Sequence, residues 1–168
     1  SNQRVVDIGS GAGFPGMILA MAQPDCQMTL VESDLKKSAF LQSVKEKLDL
    51  PNVCIIRTRA ETLAQDSMHR GQYDLCTSRA VAALRVMLEY GLPLINLDGK
   101  ILLWKGRRYR EEINEAQKAL NVLGGAIETI HKYKLIDDND RAIVVVKKVH
   151  PTPDQYPRKV GAPTKKPL

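Results

Sequence analysis

The sequence predicts an α/β fold: a mostly parallel sheet with helices between the strands and an antiparallel hairpin at its C-terminal edge. Three observations predict it. A glycine-rich turn joins a short apolar run to a helix start at Val5-Val6-Asp7-Ile8-Gly9-Ser10-Gly11-Ala12-Gly13-Phe14-Pro15-Gly16. Short apolar, β-branched runs then alternate with helical segments, as buried parallel strands and their crossovers do. Near the end, Asp137-Asp138-Asn139-Asp140 separates two strand-like runs without room for a helix, a hairpin signal.

The chain has 168 residues, enough for one domain with one core. Apolar content of 43% and charged content of 26% are ordinary for a soluble globular protein. No apolar run approaches the roughly 20 residues that span a bilayer. The sequence shows no secretory signal pattern, and Cys26, Cys54 and Cys76 are widely spaced with no metal-binding pattern. They read as reduced core residues of a cytoplasmic protein, and no metal site is expected. The formal net charge of +6 favours a polyanionic partner.

In chain order, the glycine turn comes first. Glycines interleaved with small residues allow positive φ and let a ligand approach bare amides near a helix N-terminus. Gly11-x-Gly13-x-x-Gly16 satisfies the dinucleotide fingerprint formally, but Asp7, two residues before Gly9, occupies a strand position that is apolar in that class. A helix follows from Met17 and is stopped by Pro24, and Met28 to Glu32 reads as the second strand. Glu32 stands where an acid can accept both ribose hydroxyls of a nucleoside. Asp34 is the expected N-cap of a helix to Leu48, with Leu35, Phe40, Leu41, Val44 and Leu48 on its buried side.

Val53 to Arg57 is the third strand, and Arg59-Ala60-Glu61 follows at its carboxyl end, where Glu61 is a candidate adenine contact. Tyr73 to Thr77 is the fourth, leading into Ser78-Arg79-Ala80. Arg79 is open to three readings: an anionic group of a cofactor, an RNA phosphate, or an ion pair with Asp7 or Glu61. A helix over 82–90 precedes Pro93, Asp98-Gly99 reads as a turn, and Lys100 to Gly106 is the fifth strand. Lys105 stands at the end of that strand, followed by Arg107, Arg108 and Arg110, a cationic cluster ahead of a helix with Ile113, Ala116, Leu120 and Leu123 as its apolar positions. Gly124-Gly125 ends it, and strands over 126–135 and 141–149 close the sheet. Phe14, Trp104 and Tyr109 are the available base stackers, Trp104 being read as core. The division expected is a domain over 1–150 and a basic, proline-rich tail over 151–168. The prolines exclude a helix from that tail and favour an extended path, one that could cross the mouth of the site. Its cations are Arg158, Lys159, Lys165 and Lys166.

Asp7-x-Gly9-x-Gly11-x-Gly13 resembles motif I of S-adenosylmethionine (AdoMet) methyltransferases, and a carboxylate suits a ligand that carries a sulfonium cation. With Gly13-Phe14-Pro15-Gly16, Glu32, Arg59-Ala60-Glu61, Ser78-Arg79-Ala80, Leu103-Trp104-Lys105-Gly106 and the run from Tyr156-Pro157-Arg158-Lys159 to Pro167-Leu168, the chain resembles the small-subunit ribosomal RNA methyltransferase G family. The resemblance implies a Rossmann-like class I methyltransferase with a seven-stranded sheet. It implies AdoMet-dependent methylation at N7 of one guanosine in the 530 loop of 16S rRNA. AdoMet contacts are implied at Gly9, Phe14, Ala60, Glu61 and Arg79; with the turn and the ribose acid, the expected cofactor set also holds Asp7, Ser10, Gly11, Gly13 and Glu32. The expected RNA contacts are Lys105, Arg107, Arg108, Arg158, Lys159 and Lys165. Arg158 and Lys159 are expected to serve RNA binding and leave AdoMet binding alone. No residue is assigned as a catalytic acid or base. The partner it implies is 16S rRNA or the small ribosomal subunit, and a monomeric enzyme without a membrane partner is expected. The resemblance implies a helical segment ahead of strand one, and the sequence opens on Ser1-Asn2, directly before that strand. A methyltransferase for another substrate and a nucleotide-binding module without methyl transfer are the alternatives.

Overall fold

Strand β1 (Arg4–Ile8) sends Val5 to one face of the sheet and Val6 to the other, so each face needs its own apolar cover. In the computed structural model, which describes residues 2–135 and 139–168, that cover is two helical layers. On one side, α1 (Gly16–Ala22) and α2 (Leu35–Lys47) pack Met17, Ala20 and Leu41 against Val5, Met28, Leu30 and Val53. On the other, α3 (Ala60–Gln65), α4 (Leu84–Gly91), α5 (Tyr109–Glu115) and α6 (Gln117–Leu123) pack against Val6, Ile8, Cys76, Ile101 and Val144.

The remaining strands are β2 (Gln27–Val31), β3 (Val53–Ile56), β4 (Tyr73–Arg79), β5 (Ile95–Lys105), β6 (Gly125–Lys134) and β7 (Asp140–Lys148). Their spatial order is β3-β2-β1-β4-β5-β7-β6, with the first five parallel, β7 antiparallel to β5 and β6 antiparallel to β7. The order reverses between β1 and β4. Outside the carboxyl ends of those two strands a crevice opens, the place where open α/β sheets bind ligands. Of the expected hairpin turn, Asp137 and Asp138 lie outside the described residues.

Four local expectations are corrected. Leu41 is buried and Val44 half-buried on α2, but Leu35, Phe40 and Leu48 are exposed. Residues one apart on a helix point about 100° apart, which turns Phe40 away from the sheet when Leu41 faces it. Leu48 is already the C-cap. Cys54 is exposed because β3 is an edge strand. Asp98-Gly99 does not end a strand: β5 runs through it, with Asp98 at φ 67° and a register shift against β4 between Tyr73 and Leu75. The helix after the arginine cluster is two helices, broken at Ala116 (φ −89°, ψ 0°).

The C-terminal chain is corrected too. It contains a one-turn helix, α7 (Ala162–Lys165), with Pro163 in the first turn, where its missing N–H costs nothing. The chain is held down along its length. Thr152 Oγ1 donates to Leu123 O at 2.8 Å, and the Arg70 guanidinium donates to the carbonyls of Thr152, Pro153 and Tyr156. Leu168 packs against the core.

Candidate active site

The glycine turn reaches the crevice in a wound form. Gly9 takes φ +67°, a conformation L side chains rarely adopt, and a Cβ there would collide with Val81. The amides of Gly9 and Ser10 both donate to Val31 O, at 2.9 and 3.1 Å, and Gly13 donates to Ser10 O at 2.7 Å. At the end of β2 the buried carboxylate of Glu32 accepts the Gly11 amide on Oε2 (3.0 Å) and the Asp34 amide on Oε1 (2.9 Å). Each carboxylate oxygen has a second lone pair, so Glu32 ties turn and strand together while keeping acceptor capacity toward the crevice.

Asp7 lies behind the turn. Its Oδ1 accepts from Thr77 Oγ1 at 2.7 Å, and Oδ2 is packed so close to Gly16 that a Cβ there would stand 2.9 Å from it. Oδ2 has no hydrogen-bond partner of good geometry. Burial pushes the Asp7 carboxyl up to about 6, against donors from Thr77, Ser10 and the Gly16 backbone. The expectation of a carboxylate facing the sulfonium is therefore corrected. Asp7 does not line the crevice, and its side chain ties the end of β1 to β4 beneath the turn.

The crevice holds a cavity of about 900 Å³ lined by Gly9, Ser10, Gly11, Phe14, Glu32, Arg79 and Lys105 among the expected residues, and by Lys37, Trp104, Tyr133 and Arg141. Gly13 is buried beneath it. A smaller cavity of about 210 Å³ adjoins, sharing Gly9, Glu32, Ser33 and Val81, and it takes in Ala60, Glu61, Tyr90 and Thr164. Arg79 makes no ion pair with Asp7 or Glu61; its guanidinium carbon stands 5.5 Å from the centre of the exposed Phe14 ring, at the cavity wall. Trp104, read as core, is half-buried and lines the cavity, while Tyr109 is core. Nothing local in the sequence singles out Tyr133 and Arg141; the pairing of β7 with β5, and of β6 with β7 where Tyr133 stands opposite Arg141, brings them there.

The expected RNA contacts divide. Arg107, Arg108, Lys159 and Lys165 are exposed. Lys105 is buried, donating to Ala82 O at 2.7 Å and pairing with Glu112 at 2.8 Å, so its charge is spent within the fold. Arg158 is bound by buried Glu89 through Nε at 2.9 Å and a terminal nitrogen at 2.7 Å. A bidentate pair with a buried acid is a structural anchor.

Residues 1–144 match the family model described as GidB: rRNA small subunit methyltransferase G. The chain belongs to this family. It is 51% identical over 165 residues to Ribosomal RNA small subunit methyltransferase G of Syntrophomonas wolfei, covering 98% of this chain and 77% of that protein. It is 50% identical to the protein of the same name from Desulforamulus reducens, with 98% and 69% covered. Among solved structures, the YcgJ protein from Bacillus subtilis superposes with a TM-score of 0.70 at 17% identity, over 89% of this chain and 93% of that one. A 16S rRNA (adenine(1408)-N(1))-methyltransferase variant with cosubstrate SAM from Catenulisporales acidiphilia gives 0.70 at 14% identity, over 91% and 88%. At these identities the two structures speak for the fold, which is that of class I AdoMet-dependent methyltransferases. As a member of the GidB family the protein is a methyltransferase that uses AdoMet. Its residues fit that cofactor: the glycine backbone lines a cavity of ligand size, and Glu32 presents spare carboxylate lone pairs beside it.

Proposed function

We propose that the protein methylates N7 of a guanosine in the 530 loop of 16S rRNA. The observation that carries this reading is one cavity with two chemistries. Its inner wall is the glycine turn and Glu32, and its rim carries Arg79 stacked over the exposed ring of Phe14, with Lys37 beside them.

When bound, AdoMet supplies a methyl group activated by its sulfonium. Glu32 accepts the ribose hydroxyls, Ala60 and Glu61 take the adenine end, and Arg79 holds the methionine carboxylate. Phe14 and Trp104 offer flat apolar surface for a base that has left its stack, and the exposed Arg107, Arg108, Lys159 and Lys165 meet phosphates. Guanine N7 has an in-plane lone pair and no proton to lose, so the attack needs no general base. The work left to the protein is alignment, which can supply several kcal/mol or more. The placement of Asp7 behind the turn agrees with a site that needs no basic carboxylate at the reacting atom. A ribosomal substrate puts the reaction in the cytoplasm; among the described residues no helix is long and apolar enough to cross a membrane.

Borohydride reduction and aniline scission break RNA at N7-methylguanosine. After incubation of unmethylated small subunits with enzyme and AdoMet, one new break within the 530 loop is expected. Methyl incorporation without scission would place the methyl elsewhere and overturn the N7 assignment.

A further inference from the structure

The tail has no strand ladder of its own to hold it. It is held instead by side chains of the body, and the strongest hold is placed with a consequence. Glu89 is completely buried, and its carboxylate accepts three bonds from Arg158: from the backbone amide at 2.9 Å, from Nε at 2.9 Å and from a terminal nitrogen at 2.7 Å. A buried carboxylate left unpaired is costly, so the chain is pinned in one register at that point. Three residues on, Gly161 (φ +82°) donates its amide to Glu61 Oε1 at 3.0 Å. Helix α7 then brings Thr164 Oγ1 to 3.0 Å from the Tyr90 hydroxyl. Glu61, Tyr90 and Thr164 all line the smaller cavity, which adjoins the main one and shares Gly9 and Glu32 with it.

We infer that Gly161 and Thr164 belong to the cofactor site as the outer wall of its adenine end, and that the Glu89–Arg158 pair is the positioning contact that puts them there. The inference rests on the proposed placement of the adenine end at Ala60 and Glu61. It replaces the expectation that Arg158 serves RNA alone. Because Gly161 orients Glu61, a ligand at the adenine end and the docked tail favour each other, and linkage makes the effect equal in both directions. The same tail exposes Lys159, Lys165 and Lys166, so the segment that closes the adenine end also presents cations to a polyanion.

The test is equilibrium titration of the full chain with AdoMet and with 5′-methylthioadenosine, which has the adenine and ribose but no methionine carboxylate. It compares wild type, Arg158→Ala and Thr164→Val, and adds hydrogen exchange of the tail amides in wild type with and without 5′-methylthioadenosine. Arg158→Ala is expected to weaken both ligands by a common factor of about tenfold, and Thr164→Val to weaken both by a smaller common factor. Saturating ligand is expected to slow exchange at the Gly161 amide. Wild-type affinity for both ligands in folded Arg158→Ala overturns the inference, and so does tail exchange that ligand does not change. If Arg158→Ala does not fold, the wild-type exchange and Thr164→Val decide. Failure of the wild type to bind either ligand overturns the cofactor reading itself; binding by wild type with unaffected variants overturns the role of the tail alone.

Discussion

Glu32 Oε2 accepts the Gly11 amide at 3.0 Å, so the acid at the end of β2 holds the shape of the turn that follows β1. Hydrogen bonds to a charged group contribute about 1.5–3 kcal/mol each, and removing this acceptor leaves the amides of Gly11 and Asp34 without it. Glu32→Ala is expected to weaken AdoMet binding by at least about tenfold in calorimetric titration and to lower the melting temperature as well. Unchanged affinity would remove Glu32 from the cofactor site.

Gly16 sits against Asp7 and Leu30. A Cβ at that position would contact Leu30 Cδ2 and stand 2.9 Å from both Cβ and Oδ2 of Asp7. Gly16→Ala is expected to cost about 1–3 kcal/mol, the range for overpacking a tight interior. Gly106, where an added Cβ meets nothing within 4 Å, supplies the control: Gly106→Ala should stay within about 0.5 kcal/mol of wild type. Urea denaturation of the two variants checks both.

Burial pushes the Asp7 carboxyl up to about 6, from 3.8 ordinarily. Between those values the folded protein holds a proton that the unfolded chain has released, so this group lowers stability as pH rises through the window. The total is about 3 kcal/mol, complete just above pH 6. Asp7→Asn lacks the ionisation. Its stability relative to wild type should therefore rise from about pH 4 to pH 6 and then level off, as read by urea denaturation at a series of pH values. A difference that does not vary with pH would contradict the burial of this charge.

Arg79 lies over Phe14 at the wall of the main cavity. Arg79→Ala is expected to weaken AdoMet binding by about tenfold, and Arg79→Lys to recover only part of the loss, because an ammonium keeps the charge without the planar fork and stacked face. Equal affinity across wild type and both variants would remove Arg79 from the cofactor site.

The parallel strands and the glycine turn were legible because their signals are local: apolar runs of strand length, and glycines at the spacing a tight turn needs. Glu32 was legible for the same reason, as an acid at a strand end beside that turn. The tail was not. Its proline content argues for an extended, unpaired path, but its order comes from Arg70, Glu89 and Glu61, which are distant in sequence and hold it through backbone groups. Lys105 and Arg158 read as surface cations because charge type says nothing about a partner such as Glu112 or Glu89. Asp7 read as a ligand group for a comparable reason: its position in the motif is local, whereas its burial under the turn is set by Thr77 on the neighbouring strand.

The measurement that tests the account most directly is transfer of labelled methyl from AdoMet to small ribosomal subunits that lack the modification, with the labelled nucleotide then mapped. The account predicts close to one methyl per subunit, at a single guanosine of the 530 loop and sensitive to borohydride and aniline. Label on no RNA, or spread over unrelated sites while AdoMet binds normally, would contradict it.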